Sequence, residues 1–188
     1  MIGYHLAYED HLIGMVMTQG RTREVVNIGL GIKRLCTSSP ETSVAAYAES
    51  LHHKLTPLEI TFIPPTEPPD VILRRLCIIL ALKQAYIKAI GQPSGFDWSR
   101  LEFNFPNGTA RGDGYPLQGW EFRIWQSQIA ILREDGEVEH QNYQCASAFF
   151  RGMEESVFIW QAEKKELESW VQFLNIDQLI TVLPKLSD

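Results

Sequence analysis

Residues 74–105 read RRLCIILALKQAYIKAIGQPSGFDWSRLEFNF, and the rest of the chain is arranged around them. Leu73, Leu76, Cys77, Leu80 and Ala81 recur at helical spacing, and Leu82, Tyr86 and Ala89 lie on the neighbouring face. The spacing predicts a helix from about Asp70 to Ile90. It is apolar nearly all round, so it is expected to be buried on most sides. Lys83, Gln84 and Lys88 interrupt its last two turns. Gly91, with Pro93 behind it, ends it. Residue types alone leave the two lysines open between partners of the helix C-terminal dipole and functional groups.

The bounds on the chain are ordinary. Its 188 residues, 45% of them hydrophobic, predict one domain with a substantial core. A net charge of -6 argues against nonspecific nucleic-acid binding. Cys36, Cys77 and Cys145 show neither metal spacing nor a disulfide pattern, and Cys77 sits inside the apolar helix as a small core residue. No signal peptide and no bilayer-spanning apolar run is evident. The expectation is therefore a reducing, cytoplasmic setting without membrane contact. Asn107-Gly108-Thr109 reads as a turn.

Two short strands are predicted at residues 1–8 and 12–17, around a polar turn at Glu9-Asp10-His11. A third, at residues 25–35, carries Gly29 and Gly31. Glycine within a strand marks a bulge or a close approach by backbone or ligand. Ser38-Ser39-Pro40-Glu41 predicts a helix start, running to about Lys54. Thr56-Pro57-Leu58-Glu59 carries the capping-box pattern of a short helix. The four prolines between Pro64 and Pro69 form a loop or hinge. After the long helix, strands are predicted at 101–105, 120–125, 128–133, 143–150 and 156–161. Residues 107–119 form glycine-rich turns between them, and Asp135-Gly136 is a further turn. Amphipathic helices at 163–174 and 177–183 would make residues 162–188 a C-terminal extension of the single domain. The fold class expected is α+β, an antiparallel sheet packed on a long buried helix. Trp98, Trp120, Trp125 and Trp160 belong to the core or its rim, or line an apolar pocket.

Several blocks occur in a recognisable order. They are Tyr4-His5-Leu6-Ala7-Tyr8 with Leu12-Ile13, then residues 28–33 (IGLGIK), 55–59 (LTPLE), 80–91 (LALKQAYIKAIG), 95–100 (GFDWSR) and 119–122 (GWEF). Together they resemble the second half of the Sfp-type 4′-phosphopantetheinyl transferases, especially the fungal members. The resemblance runs from about Gly3 to Trp125. It implies a fold that binds coenzyme A and magnesium between two similar halves and passes phosphopantetheine to a serine of a carrier protein. It also implies a place in fungal secondary metabolism, on polyketide or nonribosomal-peptide carriers. With one half present, it implies a homo-oligomer, more readily a dimer than a trimer.

The chain departs from that family where the chemistry is done. The metal-binding aspartate falls on Gly31, the acid two residues on falls on Lys33, and the metal-binding glutamate falls on Gln84. Ala7-Tyr8 replaces a serine-histidine pair, and Leu80 replaces a tryptophan. Magnesium requires hard oxygen ligands, usually one or two carboxylates. Two unit charges of like sign ~4 Å apart repel by about 4 kcal/mol at an effective dielectric constant near 20, so a lysine opposes the ion. No metal site and no cofactor are expected, coenzyme A and magnesium returning only if the family reaction survives. The favoured expectation is a repurposed, metal-independent acid–base enzyme acting on a small biosynthetic intermediate. The alternatives are a noncatalytic protein holding a carrier domain or ligand, and an active transferase. Candidate catalytic residues are Tyr8, Lys33, Lys83 and Gln84, and candidate ligand-binding residues are Lys88, Gly31, His5 and Glu9. Tyr8 and the lysines can exchange protons or hold an anion, and Gln84 can orient a carbonyl.

Overall fold

The computed structural model describes residues 2–19, 27–92 and 95–161, with positions 171, 172, 174 and 180. The first two strands, β1 (Ile2–Glu9) and β2 (Leu12–Gln19), form an antiparallel hairpin whose turn places Asp10 at a φ of 49°. The third, β3 (Ile28–Arg34), is the edge of a four-stranded sheet with β7 (Trp120–Leu132), β8 (Val138–Phe150) and β9 (Val157–Gln161). The order is β3-β8-β7-β9. All pairings are antiparallel except β7 with β9, which is parallel.

Three helices precede the sheet's later strands: α1 (Val44–Ser50), α2 (Pro57–Ile60) and α3 (Pro69–Ala89). The expected long helix is α3, entered through Pro69 at its first turn and ended by Gly91 at a φ of 67°. It is buried on most sides, and burying each of Leu76, Ile79 and Leu82 contributes about 1.5–3 kcal/mol. The mixed architecture is α+β, as expected.

The packing of α3 on β3 explains the two strand glycines. Ala81, Ala85 and Ala89, spaced by four, make a stripe of small residues against Gly29 and Gly31. A Cβ on Gly29 would lie 2.5 Å from the Ala89 nitrogen, and one on Gly31 would lie 2.8 Å from the Ala81 carbonyl carbon. The close approach is therefore by helix backbone. On the other face of the sheet lies the hairpin. Ala7 joins Leu30, Ile32, Trp125, Tyr143 and Cys145 in a second core, with Val16 and Val171 packed against it. Three layers result: hairpin, sheet and helix.

Several boundaries differ from expectation. α1 starts at Val44, capped by the Ser43 hydroxyl, which accepts from the Ala46 N–H (3.2 Å). The Ser38–Pro40 signal is spent in a turn, where Ser39 and Thr42 hydroxyls bond each other at 2.9 Å. One 3-10 turn, His52–Lys54, follows α1. The two strands expected between Trp120 and Arg133 are a single one. Across its polar middle, Gln128 donates to Asn142 (2.9 Å) and Gln126 to Gln144 (3.4 Å), so side-chain bonds continue the ladder where apolar alternation lapses. Residues 107–119 hold a small sheet rather than turns alone. In it β4 (Leu101–Asn104) pairs β5 (Thr109–Gly112), which pairs β6 (Tyr115–Pro116). Asp113-Gly114 makes the tight turn, with φ of 51° and 81°. The helices expected at 163–174 and 177–183 lie outside the described residues, apart from the isolated positions above. No helix among the described residues is long and apolar enough to cross a membrane.

Candidate functional site

The site is built where β1, the outer edge of β3 and the last turns of α3 meet. An edge strand leaves backbone groups without strand partners. Side chains take them here. The Leu30 N–H donates to Nδ1 of His5 (3.3 Å), and the Ile32 N–H to Oε1 of Gln84 (3.3 Å). The Cys77 S–H donates to the Arg34 carbonyl at 3.6 Å. Burial pushes that thiol up to about 12, so the sulfur keeps its proton. One side chain from β1 and two from α3 thus close the edge.

Around this seam lie opposed charges. Lys33 Nζ stands 3.4 Å from Glu9, and Arg34 bridges Asp10 (2.8 Å) and Glu139 (2.7 Å). Lys88, exposed on the last turn of α3, is close enough to act on His5. Burial first, and the Lys88 charge second, hold the His5 imidazole below its ordinary value. A neutral ring is what the Leu30 bond requires, because a protonated Nδ1 cannot accept. The folded pKa is depressed, so this contribution is intact above ~6.5, the unfolded value, and is lost as pH falls through the folded value. Lowering the pH from about 7 to about 5 is expected to destabilise the wild type by more than His5→Ala. Equal pH-dependent losses of melting temperature in the two proteins would contradict the assignment.

The structure brings five of the expected site residues together: His5, Glu9, Lys33, Gln84 and Lys88. It removes three. Tyr8 alternates outward from the hairpin and is 77% exposed, on the face opposite its neighbours Ala7 and Glu9. Gly31 is pressed against the α3 backbone and presents nothing to a ligand. Lys83 is wholly enclosed at 0% exposure. Its ammonium donates to Glu59 (2.6 Å) and to the Lys54 and Trp98 carbonyls (2.7 and 2.9 Å). The Glu59 carboxylate also accepts from the Thr56 and Phe103 N–H groups, both at 2.8 Å. Burial pushes Glu59 up and Lys83 down, while their mutual attraction opposes both. Three satisfied ammonium donors and a carboxylate with three donors facing it are the inventory of the ionised pair. Lys83 is thus an enclosed ion-pair partner whose ammonium also ties down two carbonyls. The signal for it in the sequence was a cation within a helix that is apolar nearly all round, with a capping-box glutamate 24 residues upstream.

The metal that the resemblance implies does not fit these residues. Gly31 has no side-chain ligand atom, the Gln84 oxygen is engaged by Ile32, and Lys33 adds a cation paired with the Glu9 carboxylate. Among the described residues, no three His, Cys, Asp or Glu side chains converge as a metal site.

No protein-family model matches the chain. A 4′-phosphopantetheinyl transferase, pptA, of Paxillus involutus is 26% identical over 130 residues. The match covers 66% of this chain and 49% of that protein, so the chain spans about half the length of the relative it matches.

Proposed function

From a distant, partial relationship to the 4′-phosphopantetheinyl transferases, we propose that this chain is a noncatalytic member of that lineage which binds an anionic carrier-protein domain or small ligand. One observation carries the reading. Where the family would hold its metal, α3 rests directly on Gly31, and Gln84 serves as a substitute strand partner for Ile32. Those positions do structural work and are not poised for transfer. Lys88, exposed beside His5, supplies a positive charge for a phosphate or an acidic partner. The three unpaired thiols suit a reducing, cytoplasmic setting. A role in secondary metabolism, on polyketide or nonribosomal-peptide carriers, is the corresponding biological expectation.

A second reading, metal-independent acid–base chemistry on a small molecule, is favoured by one feature, the Lys33–Glu9 pair at 3.4 Å beside the seam. The separation of Tyr8 and Lys83 from that pair weighs against it.

The deciding measurement is the mass of an apo carrier protein after incubation with this chain, coenzyme A and magnesium. No gain is expected, and a gain equal to phosphopantetheine overturns the proposal. In parallel, titration with the carrier is expected to give the same affinity with magnesium and with chelator, and a several-fold weaker one for Lys88→Glu. Absence of binding to both carrier and coenzyme A also counts against the reading.

A further inference from the structure

The hairpin has two unlike faces. Its inner face, with Ala7, Gly14 and Val16, lies on Leu30 and Ile32. Its outer face carries three cross-strand pairs, Tyr4 with Met17, Leu6 with Met15 and Tyr8 with Ile13. All six side chains are apolar or aromatic and 56–77% exposed. Side chains of this size at such exposure present on the order of 800 Å², about what each partner contributes to a standard protein interface. The largest apolar patch on an ordinary monomer is roughly 300–600 Å².

We infer that this face is the contact between two copies of the chain. The patch is one face of a two-stranded ribbon and is not a groove shaped for a helix. It carries no charge, so its occupant is apolar as well. A second hairpin supplies both properties. Two identical faces related by a two-fold axis make a self-complementary contact, packed about 10 Å apart as in sheet-on-sheet layers. The sheet already covers the inner face of the hairpin, and pairing covers the outer one. The contact stands whether or not the chain binds a carrier protein.

The full chain is expected to sediment as a dimer at micromolar concentration. Leu6→Glu and Met15→Lys, each alone, weaken association by more than roughly thirtyfold, the loss of one strong interface residue. Their far-UV dichroism stays that of the wild type, because the side chains are exposed in the single chain. Mixing the two variants restores the dimer, since the introduced charges are opposite. A photo-crosslinking amino acid at Tyr4, in a mixture of isotopically heavy and light copies, joins heavy to light through the hairpin. A single-chain mass throughout the micromolar range overturns the inference. So do cross-links confined to one copy and ending in residues 162–188, which would make the chain's own C-terminal segment the occupant.

Discussion

Replacing Lys83 by methionine is expected to lower the unfolding free energy by about 3–5 kcal/mol, the cost of removing one partner from a buried ion pair. Methionine fills much of the same volume, so a cavity contributes little. The loss arises because the Glu59 carboxylate stays buried without its cation, while the Lys54 and Trp98 carbonyls lose their donor. Those carbonyls belong to the 3-10 turns His52–Lys54 and Trp98–Arg100, so the same ammonium ties two connections to α3. The variant also carries a pH signature. Glu59 already lies above its ordinary value through burial, and without Lys83 nothing but two N–H donors opposes that shift. A raised folded pKa favours the fold below the unfolded value and loses that advantage as pH rises. The deficit of Lys83→Met should therefore shrink on acidification through the carboxylate range. Lys83→Met with Glu59→Gln should recover part of it at neutral pH, because the uncompensated charge is gone. Urea unfolding of the three proteins provides the check. A loss below about 1 kcal/mol would mean that Glu59 finds another partner or water.

Returning the family's aspartate to position 31 is expected to damage the protein and not to repair a metal site. A Cβ there overlaps the Ala81 carbonyl, and the obstacle is helix backbone, which cannot swing aside as a side chain can. Either α3 lifts from β3 or the strand bends, at about 3 kcal/mol, the upper part of the range for overpacking a tight core. Gly31→Ala separates shape from charge and should carry most of the cost. Gly31→Asp with Gln84→Glu is expected to gain no magnesium-dependent rise in melting temperature. A double variant as stable as the wild type, and stabilised further by magnesium, would show that the helix can move and would reopen the transferase reading.

Much of the fold was legible from local pattern. The apolar run before Gly91 predicts a buried helix, and α3 is one. The polar turn Glu9-Asp10-His11 between two short strands is a hairpin, and Thr56 and Glu59 cap α2 through the two bonds that their spacing predicts. Where short-range signals competed, the reading slipped. Serines near Pro40 form a turn before α1, and glutamines in mid-strand look like a break until β8 supplies their partners.

The stretch at residues 74–105 thus determined by itself that a long helix would be buried, where it would stop, and which positions differ from the related transferases. Periodicity and capping act within a few residues of chain, so sequence suffices for them. What Gly31, Lys83 and Gln84 do was decided by tertiary structure alone. Each answers to a group far along the chain or to the backbone of another element: the Ala81 carbonyl, Glu59, and the Ile32 N–H. The outward turn of Tyr8 was likewise settled by packing, because alternation defines two faces of a hairpin and only the neighbouring sheet decides which one is covered.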